Sequence, residues 1–420
     1  MDAEGRAILD LLPPALTARV IDTPAGPALA VVGDQLTLVD VEALLSQALP
    51  AEGVPVGYVL VADGDGALED LVRRSELTLV KPVPDSSHFS DVSPRRIPGL
   101  DWIRVMRSPL GEHTRGSINV YLVDTGDGVV LIDAGFSTEA PRLSTALEIA
   151  GIERGTVRAL FVTHCHADHV GAAAAIRAQG WLAEDAGLVL HSETDRLGRE
   201  MFLTPADRFV NQLIDNGIAP ADVPEWRAGL DLMADLANWP AEPRLVDGGT
   251  AVTIGEVRFE VVSTPGHSPD HVAIRASHRI HGEVVFLGDM TLGSKLPQCG
   301  VRDWESLDPI EDMRRSWQTV ASGAAAMGLP GHGAPVPDLR EFRAQFEQTY
   351  TDELMAFRRQ YGGRELTAAD VVDERTRAGD GFGPKQFVFY GAIAWFKHLE
   401  RLGQASLVDE HPIRYSVELL

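Results

Sequence analysis

The chain has 420 residues, which is too long for one ordinary domain and suits two or three. Apolar residues make up 45% of it, enough to bury a large core, while a formal net charge of −24 disfavours broad nucleic-acid binding. The two cysteines, Cys165 and Cys299, cannot build a disulfide framework. Because the first residues are acidic where a signal peptide is basic, and no apolar run reaches the length of a membrane span, we expect a cytoplasmic protein without membrane contact.

The first 98 residues predict a small N-terminal α/β domain. Residues 26–34 and 54–63 are apolar stretches typical of strands, and residues 40–49 and 67–75 have the amphipathic spacing of helices. A stretch rich in Pro, Ser and Asp, residues 82–99, predicts the linker to the next domain.

Residues 99–340 are richer in β patterns and predict a second, larger domain. SINVYLVDT and GVVLIDAG flank a GDG turn and predict a hairpin, while VRALFVTH predicts a strand followed by a helix over HVGAAAAIRAQG. Further strands are predicted over VRFEVVST and GEVVFLGD. Residues 192–245 interrupt this series with helical spacing over 207–217 and 225–239, which is typical either of a lid over a site or of plain packing.

Residues 341–420 predict a third, mainly helical domain. A helix beginning near Lys385 places four apolar side chains on one face: Phe389, Ile393, Phe396 and Leu399. ASLVDEHPIRYSVEL then predicts a two-stranded ribbon that turns at His411–Pro412. Helices followed by a β-ribbon are typical of winged helices, so we expect a winged-helix-like domain.

The loop after VRALFVT concentrates four ionisable side chains within six positions: His164, His166, Asp168 and His169. Imidazoles packed together repel one another once they are protonated, so a bare cluster gains little. A divalent cation supplies the missing attraction, because neutral imidazole nitrogen and carboxylate oxygen are good ligands for zinc and similar ions. The alternative is a polar turn with chance histidines.

Three later strand ends each carry a residue of ligand type beside a glycine. STPGHSPDH carries His267, with His271 close by, FLGDMTLG carries Asp289, and GLPGHGAP carries His332. Glycine lets the backbone approach a crowded centre. With the first loop, these residues make seven nitrogen and oxygen ligands, too many for one tetrahedral ion. Two ions that share a bridging carboxylate would use them all.

The ordered motifs L-I-D-x-G, T-H-x-H-x-D-H, T-P-G-H, G-D and G-H, which span residues 131–333, resemble those of the metallo-β-lactamase superfamily of hydrolases. The resemblance implies an α/β (α+β) fold, an αββα sandwich with the metal site at one edge. A metal site with a bridging aspartate resembles the sites of the glyoxalase II, lactonase and phosphodiesterase branches. The C-terminal tail resembles the winged-helix extension of endoribonuclease-like members. Small-molecule hydrolases of the superfamily carry the same tail.

The resemblance also implies which residues hold two divalent cations. Zinc is the usual choice, with iron and manganese as alternatives. One cation would be held by His164, His166 and His267. The other would be held by Asp168, His169 and His332, with Asp289 bridging both.

Two further residues would support these ligands. Asp133 of LIDAG would orient ligands through hydrogen bonds, with a simple turn-capping role as the alternative. His271 would either support the ligands or contact the substrate, with a surface histidine as the alternative. Cys165 lies between two ligands and is expected to point away from them.

The expected chemistry is metal-assisted hydrolysis. Two cations about 3.5–4 Å apart share a water and lower its pKa from about 15.7 toward about 7, which gives a metal-bound hydroxide positioned for attack. By resemblance, Asp168 would be the catalytic residue that accepts a proton. The preferred substrate is a small acyl thioester, ester or lactone, attached in one interpretation to coenzyme A or a carrier protein.

Two groups of residues bear on that substrate. An apolar cover for an acyl chain could come from Phe202, Phe209, Leu213, Trp226, Leu230 and Leu232, with core packing as the alternative. Phosphates of coenzyme A could meet a local excess of arginines, with a solvated surface as the alternative: Arg95, Arg96, Arg104, Arg107 and Arg115.

Other functions stay open. A phosphodiesterase or endoribonuclease could stack bases on aromatic residues of the tail, which are otherwise core: Phe387, Phe389, Tyr390, Trp395 and Phe396. A mononuclear iron persulfide dioxygenase shares the motifs but fits the insertion and the tail less well. The intact ligand set disfavours a non-catalytic scaffold. The oligomeric state also stays open.

Overall fold

The computed structural model describes residues 17–23, 26–32, 58–62, 94–109, 117–203, 207–228, 237, 239–291, 299–300, 306–378 and 385–419. The chain forms two compact units. One consists of Met1–Asp91 and Pro109–Ser117, and the other of Val92–Ser108 and Ile118–Leu420. The predicted domain bounds 1–98, 99–340 and 341–420 stay predictions.

The first unit contains a three-stranded sheet. Strand β1 (Thr17–Thr23) pairs antiparallel with β2 (Gly26–Val32), and β2 pairs parallel with β3 (Tyr58–Ala62). The strands predicted over 26–34 and 54–63 are therefore confirmed. Strand β1 was not predicted. The helices predicted over 40–49 and 67–75 lie outside the described residues.

The second unit contains two packed sheets. The first of these two sheets has seven strands. They are β4 (Arg95–Ile97), β5 (Leu100–Pro109), β6 (Ser117–Asp124), β7 (Val129–Ile132), β8 (Val157–Phe161), β9 (Leu182–His191) and β10 (Arg244–Val246). Their order across the sheet is β10-β9-β8-β7-β6-β5-β4. Strands β6 and β7 form the predicted antiparallel hairpin, whereas β7 to β10 run parallel to one another.

The second sheet has five strands in chain order. They are β11 (Ala251–Ile254), β12 (Val257–Ser263), β13 (Val272–His278), β14 (Gly282–Gly288) and β15 (Met327–Pro330). Neighbouring strands from β11 to β14 are antiparallel, and β15 runs parallel to β14. The strands predicted over VRFEVVST and GEVVFLGD are confirmed as β12 and β14.

Both sheets are buried on both faces. Along β7, Ile132 lies in the core between the sheets, whereas Leu131 packs toward the helices. Along β14, Phe286 lies in the same inter-sheet core, whereas Leu287 packs on the opposite side. Because successive side chains of a strand point to opposite faces, each apolar run contributes to two cores.

The second unit also contains α-helices, some of which cover the outer faces of the sandwich. They are α1 (Ala140–Ile149), α2 (Ala167–Val170), α3 (Ala173–Ala178), α4 (Ser192–Leu203), α5 (Asp207–Asp215), α6 (Pro309–Ala321), α7 (Leu339–Tyr361), α8 (Ala368–Ala378) and α9 (Lys385–Arg401). Helices α1 and α3 pack on the seven-stranded sheet, and α6 with the first half of α7 packs on the five-stranded sheet. The expected αββα sandwich is confirmed.

Two local predictions need correction. The single helix predicted over 169–180 is split between α2 and α3, because the backbone N–H of Ala172 donates to Gly135 O over 2.9 Å. The predicted linker 82–99 contains strand β4, which pairs with β5. Residues 82–93 of that stretch lie outside the described residues.

The C-terminal region has three helices and a small sheet. Helix α9 begins at Lys385 as predicted and buries Phe389, Ile393, Phe396 and Leu399. The predicted ribbon is confirmed as β17 (Ala405–Glu410) paired antiparallel with β18 (Ile413–Val417), and β16 (Glu365–Leu366) adds a third strand. That this region is a winged helix stays a prediction.

Residues 209–226 of the insertion 192–245 pack against these C-terminal helices. Phe209, Leu213 and Trp226 are buried in one cluster with residues of α7, α8 and α9. The ring centroids of Trp226 and Phe389 lie 5.3 Å apart. The cover hypothesis is therefore wrong for these three residues, since they are core. Phe202 stacks on Trp239, and Leu230 and Leu232 lie outside the described residues.

Among the described residues, no helix is both long and apolar enough to cross a membrane.

Candidate metal centre

Four strand ends deliver the predicted ligand residues to one place. The loop after β8 carries His164 and His166 and leads into α2. The β12–β13 loop carries His267, and Asp289 and His332 follow directly on β14 and β15. Strands of the two sheets thus end at a common edge, as expected for the sandwich.

Three histidines form the first group. His166 Nδ1 lies 2.9 Å from His164 Nε2 and 3.1 Å from His267 Nε2. His164, His166, His267 and Asp289 each offer a ligand atom within 4.8 Å of the others. A donor set of imidazole nitrogens and one carboxylate is what a zinc-like cation prefers.

The second group combines two histidines with a carboxylate. The ligand atoms of this group also lie within 4.8 Å of one another; they belong to Asp168, His169 and His332. Asp168 Oδ2 lies 3.3 Å from His332 Nε2 and 3.8 Å from His169 Nε2. The described structure therefore gathers all seven predicted ligand residues into two adjoining groups, and this cluster is able to bind metal ions.

Asp289 faces both groups with different oxygens. Its Oδ1 lies 3.3 Å from His169 Nε2 and 3.4 Å from His332 Nε2, whereas its Oδ2 lies 3.4 Å from His267 Nε2. Asp289 Oδ1 and His169 Nε2 are buried without a hydrogen-bond partner among the described residues. A buried polar atom without a partner is costly, and a cation at this point removes the cost.

Glycines next to the ligands leave no room for a side chain. A Cβ on Gly331 would lie 2.7 Å from Asp289 Oδ1 and 2.7 Å from His169 Cε1. Gly288 has φ +49, and a Cβ there would lie 2.5 Å from His271 Nε2. The prediction that these glycines allow a close backbone approach is confirmed.

Asp133 supports the second group from behind. Its Oδ2 lies 2.8 Å from His169 Nδ1, and its Oδ1 accepts the backbone N–H of Thr163 over 2.8 Å. The Thr163 hydroxyl also donates to this carboxylate. Asp133 has φ 62, a left-handed conformation that aspartate tolerates better than most residues. The contacts place Asp133 where it orients His169.

His271 contacts the backbone of Asp289. Its Nε2 accepts the N–H of Asp289 over 2.9 Å, and its Nδ1 lies 2.8 Å from the Thr264 hydroxyl. Burial, reinforced by the neighbouring His267, lowers the pKa of His271 to about 3. Both ring nitrogens of His271 are thus engaged in hydrogen bonds. His271 lies behind the ligand Asp289, and it is buried rather than on the protein surface.

The two groups differ in charge. Burial and the adjacent His169 and His166 hold the pKa of His164 well below its usual value. Burial also disfavours protonation of His332, but the carboxylates of Asp289 and Asp168 raise its pKa to about 10. Burial would raise the pKa of Asp168, but the adjacent His169 and His332 lower it to about 2. A cation binding to the second group would therefore displace protons from its imidazoles.

Several buried polar residues that the sequence reasoning missed hold the ligand loops. Asn119 Nδ2 donates to Pro330 O and Gly333 O, both over 2.9 Å, on either side of His332. Asn119 stands between apolar residues of β6, and a polar residue in such a run is a signal for a special role.

Helix α6 holds two further loops. The Ser316 hydroxyl donates to Pro265 O over 2.7 Å, and Trp317 Nε1 donates to Met290 O over 3.1 Å. These adjacent residues therefore anchor the loops of His267 and Asp289 from one helix. Their role depends on partners distant in sequence, which no local pattern reveals.

Comparison with known proteins identifies the family. Residues 113–338, just over half of the chain, match the family described as the metallo-beta-lactamase superfamily. The chain belongs to this superfamily. The matched region includes every residue of both groups.

Two solved structures share the fold of this superfamily member. A metallo-beta-lactamase family protein from Thermus thermophilus has 22% sequence identity and a TM-score of 0.63, and the match covers 77% of this chain and 99% of that protein. A beta-lactamase domain protein from Burkholderia ambifaria has 25% identity and a TM-score of 0.63, with 78% and 97% covered.

Among curated superfamily members, several similar proteins carry thioesterase names. An atrochrysone carboxyl ACP thioesterase of Aspergillus fumigatus is 23% identical over 261 residues, which are 62% of this chain and 63% of the relative. An acyl-coenzyme A thioesterase, MBLAC2, of Gallus gallus is 26% identical over 246 residues, which are 56% and 77% of the two chains. The chain thus spans a little under two thirds of the Aspergillus relative's length. The family and these relatives support a hydrolase.

Proposed function

We propose that this protein is a dinuclear metal-dependent thioesterase that hydrolyses small acyl thioesters of coenzyme A or of a carrier protein. The observation that carries the proposal is the placement of Asp289, whose two oxygens face two separate groups of ligand residues. A carboxylate in this position suits two cations that share it. Zinc is the metal we propose, since imidazole and carboxylate ligands suit it.

Each residue has a distinct part in this proposal. His164, His166 and His267 would hold one cation, Asp168, His169 and His332 would hold the other, and Asp289, which faces both groups, would be shared. When bound, two such cations lower the pKa of a shared water toward about 7 and polarise a carbonyl oxygen. Asp133 keeps His169 oriented, and His271 holds the backbone of Asp289.

Asp168 is the residue we assign to proton transfer. About 19% of its side chain is exposed, compared with 7% for Asp289, so Asp168 can reach the substrate side of the cluster. In the reaction, the oxygen of water joins the acyl carbon and the C–S bond breaks. Asp168 accepts one proton of the water and gives it to the departing sulfur, and the new carboxylic acid releases the other proton to solvent, so the products are the thiol and the carboxylate.

The acyl substrate is favoured over a phosphodiester by three observations. The relatives named above are called thioesterases. The net charge of −24 repels a phosphate backbone. Of the aromatic residues that could stack bases, Phe389, Tyr390 and Phe396 are core.

The arginines near β5 give coenzyme A binding little support. Arg96 pairs with Asp101, and Arg104 donates to Ala150 O over 3.0 Å. Arg115 lies outside the described residues. The proposed carrier therefore depends on the relatives rather than on an observed phosphate site.

A substrate panel tests the proposal. The zinc-loaded full chain is incubated with short and long acyl-coenzyme A thioesters, an acyl-pantetheine thioester, a lactone and bis-nitrophenyl phosphate, and thiol release is followed with a thiol reagent. Asp289→Ala is the test variant, and Asp409→Ala, an exposed aspartate of β17, is the control.

We expect thioester cleavage by the wild type and by Asp409→Ala. Asp289→Ala should lose more than about 100-fold in kcat/KM, beyond the range of an outer hydrogen-bond partner. Cleavage confined to the phosphodiester would contradict the proposal, and so would an Asp289→Ala variant with wild-type activity.

A further inference from the structure

Asp270 is a buried carboxyl residue that belongs to neither ligand group. Only 1% of the residue is exposed. Its Oδ2 accepts the backbone N–H of Cys165 over 2.7 Å, and its Oδ1 accepts the hydroxyl of Ser268 over 2.7 Å. Its backbone oxygen also accepts the hydroxyl of Thr194 over 3.3 Å.

One of the two side-chain contacts joins the two loops of the three-histidine group. Cys165 lies between His164 and His166, and Ser268 directly follows His267. Asp270 lies in the same loop as His267 and Ser268, so its hydrogen bond with Cys165 N–H joins the two ligand loops, whereas the one with Ser268 orients the carboxyl group within its own loop. At the base of the loops, the backbone N–H of Val272 also donates to Thr163 O over 2.9 Å, and Asp270 adds the contact nearest to the ligands.

We propose that Asp270 is a positioning residue that fixes the loop of His164 and His166 relative to the loop of His267, and so sets the affinity of this group for a divalent cation. This inference rests on the proposed function. Burying a carboxyl group is costly unless its oxygens accept hydrogen bonds. Both oxygens of Asp270 do so: Oδ2 accepts across the gap between the loops from Cys165 N–H, and Oδ1 accepts from Ser268 in its own loop, which holds the carboxyl group in place.

The same chain offers a matched control for such a contact. Glu283 Oε1 accepts the backbone N–H of Ala325 over 3.1 Å, and its Oε2 accepts the hydroxyl of Ser277 over 2.6 Å. Glu283 lies on β14 at the end opposite Asp289. It makes the same two kinds of hydrogen bond as Asp270, but it touches no ligand loop.

The experiment compares Co²⁺ binding by the metal-free full chain and three variants: Asp270→Ala, Asp270→Asn and Glu283→Ala. Competition with a chelator gives the affinity for each of the two ions, and visible absorption reports the coordination geometry. Thermal unfolding without metal reports stability. Asp270→Asn can keep both contacts, because its amide oxygen accepts from Cys165 N–H and its NH2 group donates to Ser268.

We expect Asp270→Ala to weaken the binding of one Co²⁺ ion by about 10–100-fold and to change its absorption bands. Asp270→Asn should restore most of the affinity, and Glu283→Ala should bind both ions as the wild type does. If Asp270→Ala does not fold, Ser268→Ala provides the test, since it removes only the hydroxyl contact and should weaken the same ion by about tenfold.

The outcomes separate this inference from the proposed function. If the wild type binds two Co²⁺ ions and the Asp270→Ala or Ser268→Ala variant binds them with unchanged affinity and spectrum, the positioning role is wrong while the metal centre stands. A wild type that binds fewer than two ions would contradict the proposed function and this inference together.

Discussion

The backbone N–H of Asp289 donates a hydrogen bond to His271 Nε2 over 2.9 Å. Because an N–H group must meet an acceptor, this nitrogen of His271 carries no proton, and Nδ1 is the one that faces Thr264. We therefore expect His271→Ala to keep the capacity for two cations while their affinity falls by about 10–100-fold. Equilibrium dialysis with zinc measures both quantities.

A control for His271 lies at the other end of β13. His278 also accepts a backbone N–H, that of Ile280 over 3.0 Å, but it is far along the strand from Asp289. His278→Ala should bind zinc as the wild type does. If His271→Ala instead loses one ion even at saturating zinc, His271 is a ligand and the assignment is wrong.

Asp133 should act on metal affinity through His169. Asp133→Asn retains the left-handed backbone, which asparagine also tolerates, and its amide oxygen can still accept the Thr163 N–H. Its NH2 group then faces His169 Nδ1, where the native residue has an acceptor. We expect about 10–100-fold weaker binding of one zinc ion, with a small change in Tm. Unchanged affinity at both ions would show that Asp133 is only a turn residue.

Phe209 tests the packing of the insertion. About 5% of the residue is exposed, and it lies in the cluster of the C-terminal helices. Phe209→Ala should lower the free energy of unfolding by about 3–5 kcal/mol and leave KM for a thioester unchanged. Phe387→Ala, at a residue that is 36% exposed, should change stability by less than about 0.5 kcal/mol. A Phe209→Ala variant with wild-type stability and a raised KM would restore the cover hypothesis.

Asp308 predicts a pH dependence of stability. It caps α6, and its carboxylate lies 2.9 Å from His398 Nδ1. Burial opposes the shift, but the hydrogen bonds from His398 and from Glu311 N–H hold the pKa of Asp308 below its usual value of 3.8. Since the folded pKa is the lower one, Asp308 stabilises the fold above about pH 4, and this contribution disappears as the pH falls through the folded pKa.

Urea unfolding of Asp308→Asn measures this contribution. Asparagine caps a helix as well as aspartate does, so the variant removes mainly the charge. We expect a loss of about 1 kcal/mol at about pH 7 that shrinks as the pH falls below about 4. Asp338→Asn, an exposed cap of α7, is the control and should show a smaller loss. A loss for Asp308→Asn that is independent of pH would contradict the assignment.

The ligand residues could be predicted from the sequence because each one lies in a loop that follows an apolar strand. The parallel strands β14 and β15 bring Asp289 and His332 to one edge of their sheet, and the packing of the two sheets brings the His164 loop to the same edge. The glycines beside them could be identified in the sequence as well. The structure shows why they are needed, because Gly288 and Gly331 have no space for a Cβ.

Asp133 and His271 could also be predicted as supporting residues, but Asp270, Ser316 and Trp317 could not. Asp270 and Cys165 are 105 positions apart, and Ser316 and Pro265 are 51 apart. Such contacts depend on tertiary packing rather than on a local period. The sequence leaves Phe209 open between cover and core for the same reason, because helical spacing shows that a face is apolar and does not show what covers it.

The central claim is a pair of cations that share Asp289, and a zinc titration of the metal-free full chain tests it most directly. Thioester hydrolysis and bound zinc are measured at each addition. The account predicts that binding ends near two ions per chain and that full activity requires the second. Saturation at a single ion with full activity, or activity without bound metal, would contradict it.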